Sequence, residues 1–254
     1  MAISKAQRQE IRDLKRRNPR WETHKTVVEG NKCIGELLKS DWNVERIYCT
    51  AEWKASHNAW IEDQPQRVGV IWEEVSAKDL EMMTNFKTAP GVLAVTQFEL
   101  ARSIQVSEQP WLYLDDVQDP GNVGTLIRVA DWFGWGGVIV SPQSADPMSP
   151  KSIQSAMGST FHVPIHVGTF ETLPPALLGC VVGLDAGGVN LFSQPKPLNP
   201  SLVVVGSESH GLSDKVVESC HHIASIPGNG RAESLNASVA GAIAMAMFTL
   251  PRGQ

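Results

Sequence analysis

Hydrophobic positions recur in short blocks whose spacing shifts along the chain, and the spacing predicts the elements. Gln7–Arg17 is a polar helix, and Asn31–Lys39 is a helix carrying Cys33, Ile34, Leu37 and Leu38 on one face. Apolar runs at Thr26–Glu29, Val44–Thr50, Val68–Ile71 and Val92–Val95 predict strands, with helical stretches around Glu52–Ile61 and Ala77–Met83. This half is expected to form a small α/β sandwich. Between Thr96 and Gln109 the chain turns polar before Pro110, which predicts a linker.

From Trp111 onward the blocks alternate regularly. Strands are expected at Trp111–Asp115, Val138–Val140, Val163–His166, Val181–Asp185, Leu202–Gly206 and His222–Ile226. Helices are expected at Val123–Phe133, Lys151–Met157, Asp214–Cys220 and Leu235–Leu250, with a short one near Phe170–Leu178. Alternation of this kind predicts a mostly parallel sheet covered on both faces, with ligands at the carboxyl ends of the strands. The division is thus residues 1–98, a linker at 99–109, and a second domain at 110–254.

Composition narrows the class. The 254 residues carry a net charge of −5, and their longest apolar runs are too short to span a bilayer. The charged start lacks the apolar core of a secretory signal, so the expected location is the cytoplasm. Four separated cysteines, with no Cys/His set at zinc spacing, suggest neither disulfides nor a metal. The net charge hides an asymmetry, because residues 1–26 hold eight basic against three acidic side chains and are +5, leaving −10 for the remainder. That is a nucleic-acid signal, with Arg12, Lys15, Arg16, Arg17 and Arg20 as candidate phosphate contacts, although a solvated basic helix reads the same way.

Three loops after strands carry the candidate chemistry. In DPGNVGTLIR at 119–128, Gly121 permits a tight turn, Asn122 can cap the helix, and Arg128 follows one to two turns in. In GSESHGLS at 206–213, two glycines flank the carboxylate of Glu208, and Ser213 is placed to cap the next helix. In IPGNGRAESLNASVA at 226–240, Ser234 and Asn236 open a helix rich in small residues, suited to close packing within a subunit or between subunits. Taken singly, each loop is explained by a capped strand-to-helix turn.

Together and in this order, the three loops resemble the three motifs of the SpoU (TrmH-type) RNA ribose 2′-O-methyltransferases of the SPOUT superfamily. VVEGNKCIGELL at 27–38 and KTAPGVLAV at 87–95 are similar to stretches of the ribosomal-protein-like substrate-binding domain often attached to that family. The resemblance implies a C-terminal domain with a deep trefoil knot, which periodicity cannot reveal. It implies S-adenosylmethionine as cofactor, contacted largely by backbone at Gly206, Ile226 and Leu235, with Leu184 at the preceding strand end. It makes Arg128 the central catalytic residue, with Asn122, Glu208, Ser234 and Asn236 organising the site. Arg128 has two readings, a general base or a charged stabiliser of the developing alkoxide, and a guanidinium normally stays protonated. The resemblance further implies an RNA substrate, ribosomal rather than transfer RNA, and a homodimer formed through the motif-one and C-terminal helices. One rival is a dinucleotide-binding protein or an ordinary open-sheet methyltransferase, prompted by Leu184–Gly188, which lacks the Gly-x-Gly-x-x-Gly spacing and comes late in the sheet. The other is an RNA-binding protein without catalysis.

Overall fold

The computed structural model describes residues 3–64, 69–101, 103–106, 108–193 and 198–250. Two compact units emerge: Met1–Glu99 with Met148–His162, and Leu100–Pro147 with Val163–Gln254.

In the first unit, the expected N-terminal helix is two helices, α1 (Lys5–Asp13) and α2 (Arg17–Thr23). Ser4 and Gln7 form a reciprocal capping box at the start of α1. The break has a steric cause: in one continuous helix, Pro19 would clash with the carbonyl of Lys15. That carbonyl and the Leu14 carbonyl instead accept hydrogen bonds from Arg20. The elements β1 (Lys25–Glu29), α3 (Asn31–Lys39), β2 (Val44–Cys49), α4 (Ala51–Ser56) and α5 (Asn58–Asp63) follow. Then come β3 (Ile71–Glu74), α6 (Ala77–Met83) and β4 (Val92–Gln97).

The sheet order is β1-β4-β2-β3, with β4 antiparallel to both neighbours and β3 parallel to β2. The strand expected at Val68–Ile71 forms at Ile71–Glu74, and Val68 lies outside the described residues. Edge position explains how a strand ending in Glu-Glu is tolerated, since those carboxylates face solvent or a cation, and Arg46 pairs with Glu73 at 2.5 Å. Val28, Ile34, Leu37, Ile47 and Ala94 form the centre of this unit's core.

The second unit contains β5 (Trp111–Leu114), α7 (Pro120–Trp132) and β6 (Gly137–Val140). The chain then supplies α8 (Pro150–Ala156) to the first unit, where Ile153 and Phe161 join the core and Thr26 donates to the Met148 carbonyl at 2.8 Å. Periodicity placed this helix in the second series; its partners are in the first. Back in the second unit are β7 (Ile165–Val167), β8 (Val181–Asn190), β9 (Leu202–Val205), α9 (Asp214–Ser219), β10 (His222–Ser225) and α10 (Ala237–Thr249). The stretch near Phe170–Leu178 forms two 3-10 turns, Phe170–Thr172 and Pro175–Leu178.

The six strands run in the order β10-β8-β9-β5-β6-β7, with every pair parallel. Their central members are buried on both faces, which is why WLYL, GVIV and LVVV read as unbroken apolar runs. From β5 the chain builds outward through β6 to β7, while β9, β8 and β10 lie on the other side. Strand order therefore reverses at the β5/β9 boundary, the position where open α/β sheets leave a crevice at their carboxyl ends. Helix α10 packs on α7 and β9, and Gly241 lies against Leu126 so closely that a methyl group there would collide with it.

Candidate active site

The β5–α7 connection leaves the sheet at the switch point. Asp119, rather than Asn122, caps α7: its Oδ1 accepts from the N–H groups of Gly121 (2.6 Å) and Asn122 (3.1 Å), with Pro120 at the first helical position. The Asn122 side chain is thereby left for another partner. Its Nδ2 donates to Glu208 Oε1 at 2.6 Å, and Glu208 Oε2 faces the Gln118 N–H at 3.4 Å. Residues 86 positions apart, on connections from adjacent strands, thus meet at the crevice.

The loop carrying Glu208 is itself closed. Ser207 and Gly211 exchange two backbone hydrogen bonds of 2.9 and 3.0 Å, leaving Glu208, Ser209 and His210 exposed at the tip. Gly206 faces the Gly211 carbonyl so closely that no Cβ fits. Gly211 has a φ of 69°, a backbone state natural to glycine. Ser213 occupies the cap position of α9, yet its side chain caps nothing; its N–H donates to Asp115 Oδ2 at 2.7 Å instead.

Gly206 and Ile226 directly follow the carboxyl ends of β9 and β10, whereas Leu184 is a correction: β8 runs on to Asn190, so Leu184 lies within the strand, level with Val205 at the end of β9. All three are half-buried, so this edge of the sheet is open to a ligand. The following loop is bare. Residues 227–235 make no hydrogen bond among the described residues, and residues 228–235, Ser234 included, are exposed, with Leu235 47% accessible. Asn236 ends the loop as the N-cap of α10, accepting from Ser238 N–H (2.9 Å), Val239 N–H (3.4 Å) and Ser238 Oγ (2.6 Å). Ser234 makes no contact with the Asn122–Glu208 pair. Arg128 also stands apart from that pair. It is exposed, takes no partner among the described residues, and shares an outward stripe of α7 with Thr125 and Trp132, the last 81% accessible.

The five basic residues at the N-terminus differ among themselves. Arg20 is a correction: it is 2% accessible and donates to the carbonyls of Leu14 (2.8 Å) and Lys15 (2.9 Å), so its guanidinium braces the α1–α2 turn and does not face RNA. Lys15 is exposed but donates to the Thr84 carbonyl at 2.6 Å, and Arg16 pairs with Asp13 at 2.6 Å. Arg17 lies over the Trp21 ring. Arg12 is exposed without a partner among the described residues.

Sequence reasoning missed Asp115, Asp116, Gln118, Ser141 and Ser144. Ser141 Oγ donates to Asp116 Oδ1 (2.9 Å) and accepts from Asp116 N–H (3.0 Å), while Ser144 Oγ accepts from Val117 N–H (3.0 Å). Serines three apart directly after a strand are a turn signal that could have marked this segment; their partners 25 to 27 residues earlier could not be read from it. Cys33 and Cys49 are buried and Cys180 and Cys220 half-buried; burial raises every thiol pKa, that of Cys220 to about 11, so none is an activated nucleophile. No group of three or more metal-ligating side chains occurs among the described residues, and none of their helices is long and apolar enough to cross a membrane.

Residues 109–246, covering all three loops, match the SpoU rRNA Methylase family. The chain belongs to that family. Residues 6–94 of this SpoU-family methyltransferase match the MRM3-like substrate binding domain. It is 30% identical over 257 residues to the 23S rRNA (guanosine(2553)-2'-O)-methyltransferase RlmP of Bacillus subtilis, covering 95% of this chain and 96% of that one. Among solved structures it resembles the SpoU methyltransferase AviRb of Streptomyces viridochromogenes in complex with AdoMet, with a TM-score of 0.84, 26% identity and 97% of each chain covered. An AdoMet-bound rRNA methyltransferase from Sinorhizobium meliloti aligns with a TM-score of 0.83 and 26% identity, over 98% of this chain and 95% of that one.

Proposed function

We propose that this SpoU-family protein transfers a methyl group from S-adenosylmethionine to a ribose 2′-hydroxyl of ribosomal RNA. The observation that carries this reading is the Asn122–Glu208 pair at the strand-order reversal, beside strand ends and a loop whose polar backbone is unbonded. That surface fits the cofactor. Leu184 and Ile226 offer half-buried apolar flanks, Gly206 presents backbone without a side chain, and the N–H and C=O groups of 227–235 can bond a nucleoside without any charged partner. Bound there, S-adenosylmethionine supplies an electrophilic methyl group on a sulfonium.

The chain's own residues must hold the ribose hydroxyl in line and favour loss of its proton as the new C–O bond forms. Glu208, fixed by Asn122, orients polar groups in the crevice, and Ser234 and Asn236, on the third loop, are assigned to the site by the family motif. Arg128, paired with no carboxylate among the described residues, is suited to hold the adjoining phosphate and to stabilise the developing alkoxide. The distinction from a dedicated base is measurable: if Arg128→Lys restores most activity with an unchanged pH–rate profile, charge is the requirement.

The reading extends to assembly. Trp132 on α7, Val239 on α10 and Leu250 directly after α10 are exposed apolar side chains at two helices that pack together, which supports a homodimer through this pair. Sedimentation should show a dimer at micromolar concentration and a monomer for Trp132→Glu. A trefoil knot belongs to the same proposal. Strand β10 lies outside β8, yet α10 returns to α7 and β9, and Gly188 leaves no room for a side chain against the backbone of Ile223 and Ala224. The first unit, residues 1–99 with 148–162, is proposed to hold the RNA, with Arg12 exposed and unpaired among the described residues, Arg17 over the Trp21 ring, and Lys15 and Arg16 at the same turn. The cytoplasm is the proposed location. Mapping ribose methylation across total RNA from a deletion strain tests the whole reading, and an unchanged map would remove it.

A further inference from the structure

Three non-glycine residues among those described have a left-handed backbone: His24, Asp116 and Met157. His24 and Met157 end α2 and α8, an ordinary place for that conformation. Asp116, with a φ of 57°, is at no helix end; it follows β5 at the head of the loop that carries Asn122. Aspartate enters this region more readily than most residues but seldom, and such states persist where the surroundings over-determine them. Here the surroundings are two serines, both 2% accessible.

Ser141 binds Asp116 twice, giving its hydroxyl proton to Oδ1 (2.9 Å) and accepting the backbone N–H (3.0 Å). Ser144 Oγ lies 2.9 Å from Ser141 Oγ and accepts the N–H of Val117 (3.0 Å), while Ala145 N–H donates to the Val117 carbonyl (2.9 Å). Gln118 closes the turn by donating from Nε2 to the carbonyls of Asp116 (3.1 Å) and Gln143 (2.9 Å). Its own N–H then faces Glu208, the partner of Asn122. A continuous set of bonds runs from the end of β6 to the Asn122–Glu208 pair.

We infer that Asp116, aimed by Ser141 and Ser144, is a positioning residue for methyl transfer. It sets the direction in which the loop leaves β5, and so whether Gln118 and Asn122 meet Glu208. The inference rests on the reading of the site given above.

Three substitutions separate backbone state from side-chain bond. Asp116→Asn keeps an acceptor and tolerates the left-handed state; Asp116→Gly keeps the state and loses the acceptor; Asp116→Ala loses both. Single-turnover methylation should fall by about threefold, tenfold and a hundredfold in that order, with the dissociation constant for S-adenosylmethionine and the KM for RNA within about threefold of wild type. Because the effect passes through Asn122, Asp116→Gly should lower the rate no further in an Asn122→Ala background. Additive losses, or a lowered Tm with an unchanged rate, would overturn the inference. Should Asp116→Ala fail to fold, the Asn and Gly variants carry the test. A second readout is independent of turnover: the Asn122 side-chain amide protons, followed by nitrogen-15 NMR, should exchange slowly in wild type and rapidly in Asp116→Gly. Equal protection in both would overturn the positioning role, whereas a wild type that methylates no RNA would instead refute the assignment of the site.

Discussion

Two loops at the same edge of one sheet are built in opposite ways. The connection after β5, residues 115–122, is cross-linked by Ser141, Ser144, Asp119 and Glu208, while residues 227–235 after β10 make no hydrogen bond among the described residues. Both carry residues of the proposed reaction. The first is held in shape by the protein's own groups, and the second has backbone donors and acceptors that no described residue satisfies, left to water, a ligand or a second copy. On the proposed reading, one side of the crevice is preorganised for chemistry and the other is open for capture.

The largest expected effect tests whether Arg128 stands outside the cross-linked set. Arg128→Ala should lower the methylation rate by about 10²- to 10³-fold, the scale of losing one charge-stabilising donor. Its Tm should stay within about 1 °C of wild type, because the side chain has no partner among the described residues to lose. A large drop in Tm would place Arg128 in the structural network instead.

Gly206→Ala comes next. A methyl group there presses on the Gly211 carbonyl and should open the Ser207–Gly211 closure, costing about 1–3 kcal/mol of stability. Cofactor affinity should weaken about tenfold with it. Full affinity in this variant would mean that the closure does not shape the capture side.

Hydrogen exchange reads the comparison directly. Without cofactor, amides of 116–122 should exchange at least tenfold more slowly than those of 228–235, and S-adenosylmethionine should slow only the second set appreciably. Equal exchange in both loops of the free protein would break the contrast.

The same contrast recurs on a smaller scale among the N-terminal arginines. Arg20→Ala should cost about 2 kcal/mol by leaving two carbonyls without their donor. Arg12→Ala should leave stability within about 0.5 kcal/mol of wild type and instead weaken RNA binding, reducing its salt dependence by about one phosphate contact. Reversed outcomes would exchange their roles.

Much of this was legible in the residues. Alternating strands and helices after Trp111 indicated a parallel sheet because buried parallel strands must be apolar throughout. Three loops at strand ends, in the right order, carried the family. Less was legible where two interpretations share a spelling. Asn122 reads as a helix cap, and only the structure shows Asp119 filling that role so that Asn122 can reach Glu208. Arg20 looks like one more cation in a basic run until Pro19 divides the helix and turns its guanidinium inward. Helix α8 has the periodicity of any crossover helix, and nothing local says that its apolar face packs in the first unit.

The sequence by itself determined the elements, the class of the sheet and the identity of the three loops, because these depend on spacing, turn chemistry and the order of motifs along the chain. Tertiary structure alone decided which polar side chains are already occupied. A hydrogen bond between residues 86 positions apart, or a serine pair that holds Asp116 left-handed, depends on strand order in the sheet, and strand order is a property of how the chain returns in space.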